Sequence, residues 1–125
     1  MSVANAVKLT ASLSCYNPNS MVSSVGRSVT SDEFNQTASP YIESSVSVAT
    51  SATAIPLGGV TSCGWAYFRN MDPTNYLTIR NGAGGADLAQ LYPGESAWLP
   101  LITTCVPYAV ANAGACLLEY MIFSR

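Results

Sequence analysis

Apolar and polar residues alternate with a period of two in several parts of the chain. Residues 7–14 are apolar at every odd position, and residues 45–50 repeat the alternation through Val46 and Val48. This period places the apolar side chains on one face of an extended strand. The 3.6-residue period of an amphipathic helix is hard to find in the sequence, so the pattern predicts strands.

The middle of the chain has two β-prone runs separated by turn residues. Residues 64–70 are rich in aromatic side chains, and residues 75–80 form the second run. Between them, Asp72 and Pro73 predict a turn in which the Asp carboxylate accepts backbone N–H bonds. Two adjacent runs joined by a short turn predict an antiparallel hairpin.

Further strands and turns are predicted on either side of this hairpin. Residues 55–60 are expected to form a strand with a turn, because Pro and paired Gly do not both fit a central strand. Residues 87–92 fit a strand or a single helical turn. A Pro-Gly turn is predicted at residues 92–95, after which residues 96–101 resume extended structure.

The whole pattern predicts an all-β fold without substantial helix. About eight to ten short strands point to an antiparallel β-sandwich or a jelly-roll-like arrangement. We expect residues 1–125 to form a single domain, in which the polar residues 15–45 form one or two weak strands or an extended docking arm. Residues 115–123 are apolar on both faces apart from Glu119, which is typical of a strand covered on both sides.

Charge is scarce, and this narrows the possible functions. Hydrophobic residues make up 49% of the 125-residue chain and charged residues only 10%, with a formal net charge of -2. No broad basic surface is available for phosphates, so nucleic-acid binding is not expected. The apolar residues 96–118 are interrupted by Pro, Gly and Asn, and we predict no membrane span. The N-terminus does not have the pattern of a secretory signal, so the four cysteines are expected to be reduced and buried, although two disulfides are possible.

Catalytic motifs are not evident. Without histidine, no Ser-His-Asp or Cys-His nucleophile system can form. A glycosidase-like site needs two carboxylates across a cleft, and the seven acids lie in no recognisable motif. The cysteine spacing does not indicate zinc, and no cofactor is expected. The aromatic residues support two alternatives: core and interface packing, or a carbohydrate-binding platform that uses exposed Trp and Tyr rings.

Residues 55–101 resemble a pattern found in small structural proteins of tailed bacteriophages. The matching parts are an apolar strand with Gly-Gly-Val, a Gly-aromatic strand that ends in Asn, and a turn with Asp and Thr-Asn-Tyr. A short strand, a Gly-rich loop and a Leu-Tyr-Pro-Gly-Glu turn before an apolar strand complete it. The resemblance implies a β-sandwich virion component, either a capsid decoration (cement) protein or a tail or head–tail accessory protein. It implies no catalytic residues.

These observations together lead to a functional expectation. The chain is expected to be a non-enzymatic virion protein, assembled in the host cytoplasm, that forms a homo-oligomer, a trimer in preference to a dimer. Its partners would be the major capsid protein or tail proteins. The residues expected at subunit contacts are Phe34, Tyr41, Trp65, Tyr67, Leu117, Met121 and Phe123.

Overall fold

The computed structural model describes residues 6–7, 10–15, 25–30, 34–35 and 41–124. The chain forms two compact units, Met1–Gln36 and Thr37–Arg125, and each is described by itself. Within the predicted arm at residues 15–45, residues 15, 25–30, 34–35 and 41–45 are described as strand, and the others lie outside the described ranges. No helix in those ranges is long and apolar enough to cross a membrane.

The described residues of the N-terminal unit form four strands in two antiparallel pairs. Strand β1 (Ala6–Val7) pairs with β4 (Phe34–Asn35). Strand β2 (Thr10–Cys15) pairs along its length with β3 (Val25–Thr30). The alternating residues at the beginning of the chain therefore include a strand, as the period of two predicts.

In the second unit, residues 41–124 form eight strands in two four-stranded antiparallel sheets. Sheet I has the order β10-β7-β12-β5, and sheet II has the order β6-β11-β8-β9. The strands are β5 (Tyr41–Val48), β6 (Thr53–Ala54), β7 (Cys63–Asn70), β8 (Leu77–Asn81), β9 (Asp87–Leu91), β10 (Ser96–Pro100), β11 (Pro107–Ala111) and β12 (Cys116–Ser124).

The pairing of these eight strands is nested. The innermost pair is β8 with β9, and around it lie β7 with β10, β6 with β11, and β5 with β12. The chain thus doubles back at the β8–β9 turn, and the doubled ribbon folds over into two sheets, which is the arrangement of a jelly roll. The predicted all-β antiparallel sandwich is confirmed.

The core lies between the two sheets and is formed by alternate residues of each strand. Sheet I contributes Phe68, Tyr120 and Ile122, and sheet II contributes Leu77 and Ile79; all five are at most 1% exposed. Burial of each such side chain stabilises the fold by roughly 1.5–3 kcal/mol before entropy is counted. The period of two in the sequence is therefore the direct cause of the sandwich.

The predicted hairpin between residues 64–70 and 75–80 is wrong. Strand β7 pairs with β10 and β12 in sheet I, whereas β8 pairs with β9 and β11 in sheet II. Residues 71–76 therefore connect the two sheets instead of joining neighbours in one sheet. The buried faces of β7 and β8 both contribute to the core, which two strands from opposite sheets achieve by facing each other across it.

The other local predictions have mixed outcomes. Residues 55–60 contain no strand, because Pro56 has no N–H to donate and Gly58 has a φ of 57° in a turn closed by the N–H of Val60. Residues 87–91 are a strand and not a helical turn. The Pro-Gly turn is confirmed: Gly94 has a φ of 80°, and the Glu95 N–H donates to the Tyr92 carbonyl at 2.9 Å.

Candidate functional site

The outward side of sheet I is the candidate functional site. Along β12 the even residues are buried, whereas the odd residues point away from the core, and Leu117 is 49% exposed. We call this outward side the aromatic face. Its principal side chains are Tyr41 and Glu43 on β5, Trp65, Tyr67 and Arg69 on β7, Trp98 on β10, and Leu117, Glu119, Met121 and Phe123 on β12.

One row of the aromatic face crosses all four strands. The strand register aligns Trp98 with Tyr67, Tyr67 with Met121, and Met121 with Glu43. The rings of Trp98 and Tyr67 lie with their centroids 4.5 Å apart and their planes inclined at 45°. Trp98 nevertheless remains 50% exposed, so this row presents a large ring on the outside of the sandwich.

A second pair of rings lies near the end of the same face. Tyr41 and Phe123 are register partners on β5 and β12, and their rings stack with centroids 5.6 Å apart. Tyr41 is 57% exposed, and Trp65 on β7 is half-buried. The face therefore has two separate aromatic contacts, each made between adjacent strands.

Charged groups lie beside these rings. The register aligns Glu119 with Arg69 on one side and with Ser45 on the other. The Tyr67 hydroxyl donates to Glu119 Oε1 at 3.3 Å. Burial raises the pKa of Tyr67 and the negative charge of Glu119 raises it further, whereas Arg69 lowers it. The aromatic face is thus amphipathic, with a polar patch next to the rings.

Six of the seven residues predicted at subunit contacts lie on the aromatic face. They are Tyr41, Trp65, Tyr67, Leu117, Met121 and Phe123. The seventh, Phe34, belongs to β4 in the other compact unit, where the structure describes the backbone. Residues separated by up to 82 positions in the sequence are therefore gathered on one side of one sheet.

Trp98 is not among the residues that the sequence predicted at subunit contacts, although residues 96–101 were predicted to be extended. Both phases of β10 are apolar, with Ala97 and Leu99 on one side and Trp98 on the other. When both faces of a strand carry apolar residues, the sequence does not reveal which face is buried. For this reason the sequence alone did not identify Trp98 as exposed. The structure shows Ala97 and Leu99 packed against the core.

Three of the carboxylates stabilise local structure. Asp72 accepts backbone N–H bonds from Thr74 at 2.9 Å and from Asn75 at 2.6 Å, as predicted. Asp87 forms an ion pair with Arg80, and Glu95 accepts the N–H of Tyr92 at 2.8 Å. Turn formation and strand pairing account for the contacts that these three groups make.

Two other carboxylates come together in a way that the sequence did not indicate. Glu43 and Glu119 line one shallow depression with Ser44 and Ser45. Asp32 and Glu33 lie outside the described residues. Over the part of the chain that is described, no group of three or more His, Cys, Asp or Glu side chains is arranged to hold a metal ion.

Comparison with known proteins gives no match. No family model, no curated protein and no solved structure is significantly similar to this chain. The fold and the aromatic face therefore carry the functional argument.

Proposed function

We propose that this protein is a non-enzymatic structural subunit of a virion, which oligomerises and binds the capsid surface as a decoration or cement protein. The aromatic face is the observation that carries the proposal. Trp98, Tyr41 and Leu117 are each about half exposed on one side of one sheet. Trp, Tyr, Phe, Met and Arg are the residues enriched at protein interfaces, and all five types occur on this face.

The dimensions of the face suit one stable contact. Four strands spaced about 4.8 Å apart and a longest strand of nine residues give a face of roughly 19 by 30 Å. Covering this face and an equal area on a partner removes on the order of 1,100 Å² from water, which is close to the lower bound of a specific interface. One partner surface thus accounts for the whole face.

The scarcity of charge supports the same role. Only 10% of the residues are charged, so few groups need to be desolvated when two surfaces meet. Arg69, Glu43 and Glu119 add both signs of charge to the aromatic face. A small mixed polar patch of this kind sets the orientation of a partner more than the strength of binding.

The partner proposed for this face is a second copy of the chain, with a trimer favoured over a dimer, and the resulting oligomer is proposed to bind the major capsid protein. A tail or head–tail accessory protein is the alternative location, and it uses the same surface. Jelly rolls form viral capsid domains as well as lectin domains, so the fold alone does not decide the function. The exposed aromatic rings and the resemblance to phage structural proteins favour assembly.

The test introduces a charged residue on the aromatic face and compares it with a matched variant on sheet II. Leu117→Lys places an ammonium group among the rings, whereas Leu88→Lys changes a similarly exposed leucine on β9 (49% against 44%). We expect Leu117→Lys to weaken both self-association and binding to phage heads by at least about tenfold, a loss of about 1.4 kcal/mol. Leu88→Lys is expected to behave like the unchanged chain.

Light scattering measures the oligomeric state, and co-sedimentation with heads and tails of the encoding phage measures docking. Binding to tails but not to heads would support the role of a tail or head–tail accessory protein. A folded chain that remains monomeric and sediments with neither particle would refute the assembly proposal.

Carbohydrate binding is the second candidate, and one observation favours it. Trp98 packs on Tyr67 and is half exposed, with Arg69 and Glu119 on the same face as polar partners for sugar hydroxyls. A glycan array tests this function with the unchanged chain and with Trp98→Ala. The result that would favour this role over assembly is a glycan that binds the unchanged chain and the Leu117→Lys variant but does not bind Trp98→Ala.

A further inference from the structure

Two buried cysteines are neighbours where β7 begins. Cys63 is the first residue of β7, and Cys105 lies in the connection between β10 and β11. The Cys63 thiol donates to the backbone carbonyl of Cys105, with 3.4 Å between sulfur and oxygen. Standard bond lengths then place the Cα of Cys105 within about 5.8 Å of the Cys63 sulfur. The two cysteines are therefore neighbours in the fold, and rotation of their side chains determines whether the two sulfurs reach the bonding distance of a disulfide.

The connection that contains Cys105 is a surface turn fixed to the start of β7. The Leu101 N–H donates to the Gly64 carbonyl at 2.9 Å, and the Cys63 N–H donates to the Thr103 carbonyl at 3.4 Å. Within the turn, Ile102 is 62% exposed whereas Cys105 is only 4% exposed. Local opening of this short turn therefore brings Cys105 to solvent while β7 stays in sheet I.

We propose that Cys63 and Cys105 form a reversible intramolecular disulfide by exchange with a low-molecular-weight disulfide. This site is separate from the aromatic face and does not depend on the proposed assembly role. Each of the two cysteines is described as a buried free thiol, so the structure represents the reduced form of the pair.

The order of reaction follows from the surroundings of the two thiols. Burial raises the pKa of both, and the nearby charge of Cys105 raises that of Cys63 further. Cys105 lies on the turn that opens, whereas Cys63 lies on a strand of sheet I. The thiolate is the attacking species in exchange, which makes Cys105 the initial nucleophile and Cys63 the resolving thiol.

The exchange takes place in two balanced steps. The Cys105 thiolate attacks one sulfur of the oxidant, forms a mixed disulfide and releases one thiol. Cys63 then loses its proton and attacks the Cys105 sulfur, which displaces the second thiol. The two protein thiols lose two electrons in total, the oxidant gains them, and the two protons end on the released thiols.

The disulfide would connect sheet I to the β10–β11 turn across 42 residues of chain. Closing a loop of this length restricts the unfolded chain and favours the folded one. The oxidised protein is therefore expected to melt several degrees above the reduced protein.

The experiment uses the full chain with Cys15→Ser in every variant, so that the three buried thiols are the only ones present. The folded protein is incubated with oxidised glutathione, and cross-linked peptides are identified by mass spectrometry without reduction. We expect a Cys63–Cys105 link. In Cys63→Ala, the glutathione adduct accumulates on Cys105, and in Cys105→Ala the adduct on Cys63 forms at least about tenfold more slowly, because Cys63 is 1% exposed on a strand.

Cys116→Ala is the matched control. Cys116 is also 1% exposed, but its sulfur contacts the backbone carbonyls of Asn75, Tyr76 and Gly114. This variant is expected to form the Cys63–Cys105 link normally. Circular dichroism verifies that each variant is folded.

A link between Cys116 and either other thiol would overturn the proposal. The same holds for a Cys63–Cys105 link that appears only in urea, or for no link in the folded chain. Because peptide mapping does not depend on oligomeric state, failure of this proposal is distinguishable from failure of the assembly role.

Discussion

Asn70 is a fully buried polar residue at the end of β7. Its side-chain amide donates to the carbonyls of Asn75 at 2.8 Å and Leu91 at 3.0 Å. Its side-chain oxygen accepts the Asp72 N–H at 2.9 Å. One side chain thus joins β7, the connection that follows it and the end of β9. A buried amide with every partner present fixes these three segments in one arrangement.

Asn70→Ala leaves two carbonyls and one N–H without their partner. We expect the free energy of unfolding to fall by about 2–4 kcal/mol, since each unsatisfied buried group costs about 1–3 kcal/mol and water relieves part of this. Urea denaturation measures the loss. Asn112→Ala is the control, because exposed Asn112 accepts one N–H from Tyr76 at 3.1 Å, and a cost of about 1 kcal/mol is expected. Equal losses in the two variants would contradict the proposed role of Asn70.

The sequence predicted the structural role of some single residues but not of others. Asp72 was predicted to accept backbone N–H bonds in a turn, and it does so. Asn70 was not distinguished, because one of its partners, Leu91, is 21 positions away. A turn motif depends on neighbours in sequence, whereas a buried amide depends on the folded core.

At the scale of elements, the turn between β8 and β9 is the point where the chain doubles back. Gly82 has a φ of 87°, a conformation that favours glycine. The Gly85 N–H donates to the Gly82 carbonyl at 3.2 Å, and a Cβ on Gly85 would overlap the Asn81 carbonyl oxygen. The backbone at Gly85 therefore has no room for a side chain.

Gly85→Ala is expected to destabilise the protein by about 1–3 kcal/mol or more, because the backbone must move to admit the methyl group. Gly84→Ala is the matched control, since a Cβ there meets no atom within 4 Å. That variant is expected to be neutral or slightly stabilising, because alanine reduces the freedom of the unfolded chain. Thermal and urea denaturation compare the two. Similar melting of both variants would show that the turn rearranges without cost.

The sequence predicted strands better than it predicted their partners. The alternation and the turn residues located β7, β8 and β10, but the proposed hairpin joined β7 and β8, which belong to different sheets. Strand β5 pairs with β12, from Tyr41 opposite Phe123 onwards, and local patterns do not encode such distant pairing. Among the four nested pairs, only β8 and β9 are neighbours in the sequence. The residues between them were predicted to form a loop.

At the scale of the whole molecule, burial changes the response to alkaline pH. Burial raises the pKa values of three thiols above the ordinary 9.0 and of two phenols above the ordinary 10.0. These groups are Cys63, Cys105, Cys116, Tyr67 and Tyr120. The folded chain therefore retains protons that the unfolded chain loses in this range.

The sign of the effect follows from this difference in bound protons. The contribution of these groups to stability is fully present below pH 9 and is lost as the pH rises through their folded-state values. We expect the urea midpoint to fall steadily above pH 9. Cys116→Ala should reduce that slope, because it removes one of the groups. A midpoint that is constant or rises from pH 9 to pH 10.5 would contradict the prediction.

The candidate site was predictable in composition but not in geometry. Six of the expected contact residues share the aromatic face because they occupy the outward phase of β5, β7 and β12. Of the eight aromatic residues that lie within strands β5 to β12, only Phe68 and Tyr120 are buried in the core. The sequence could not separate these groups, since both phases of the central strands are apolar. The register that brings Glu43 close to Glu119 requires the folded sheet.

The nested pairing also determines when the sandwich can close during synthesis. Strand β12 is the last of the eight in chain order, yet it lies inside sheet I between β7 and β5. Until it is translated, β5 has no partner in the sheet and β7 is paired on one edge only. Sheet II can assemble around the early β8–β9 pair, while unpaired edges of sheet I remain open to association with other chains. The strand that completes sheet I is thus the last of the eight to be translated.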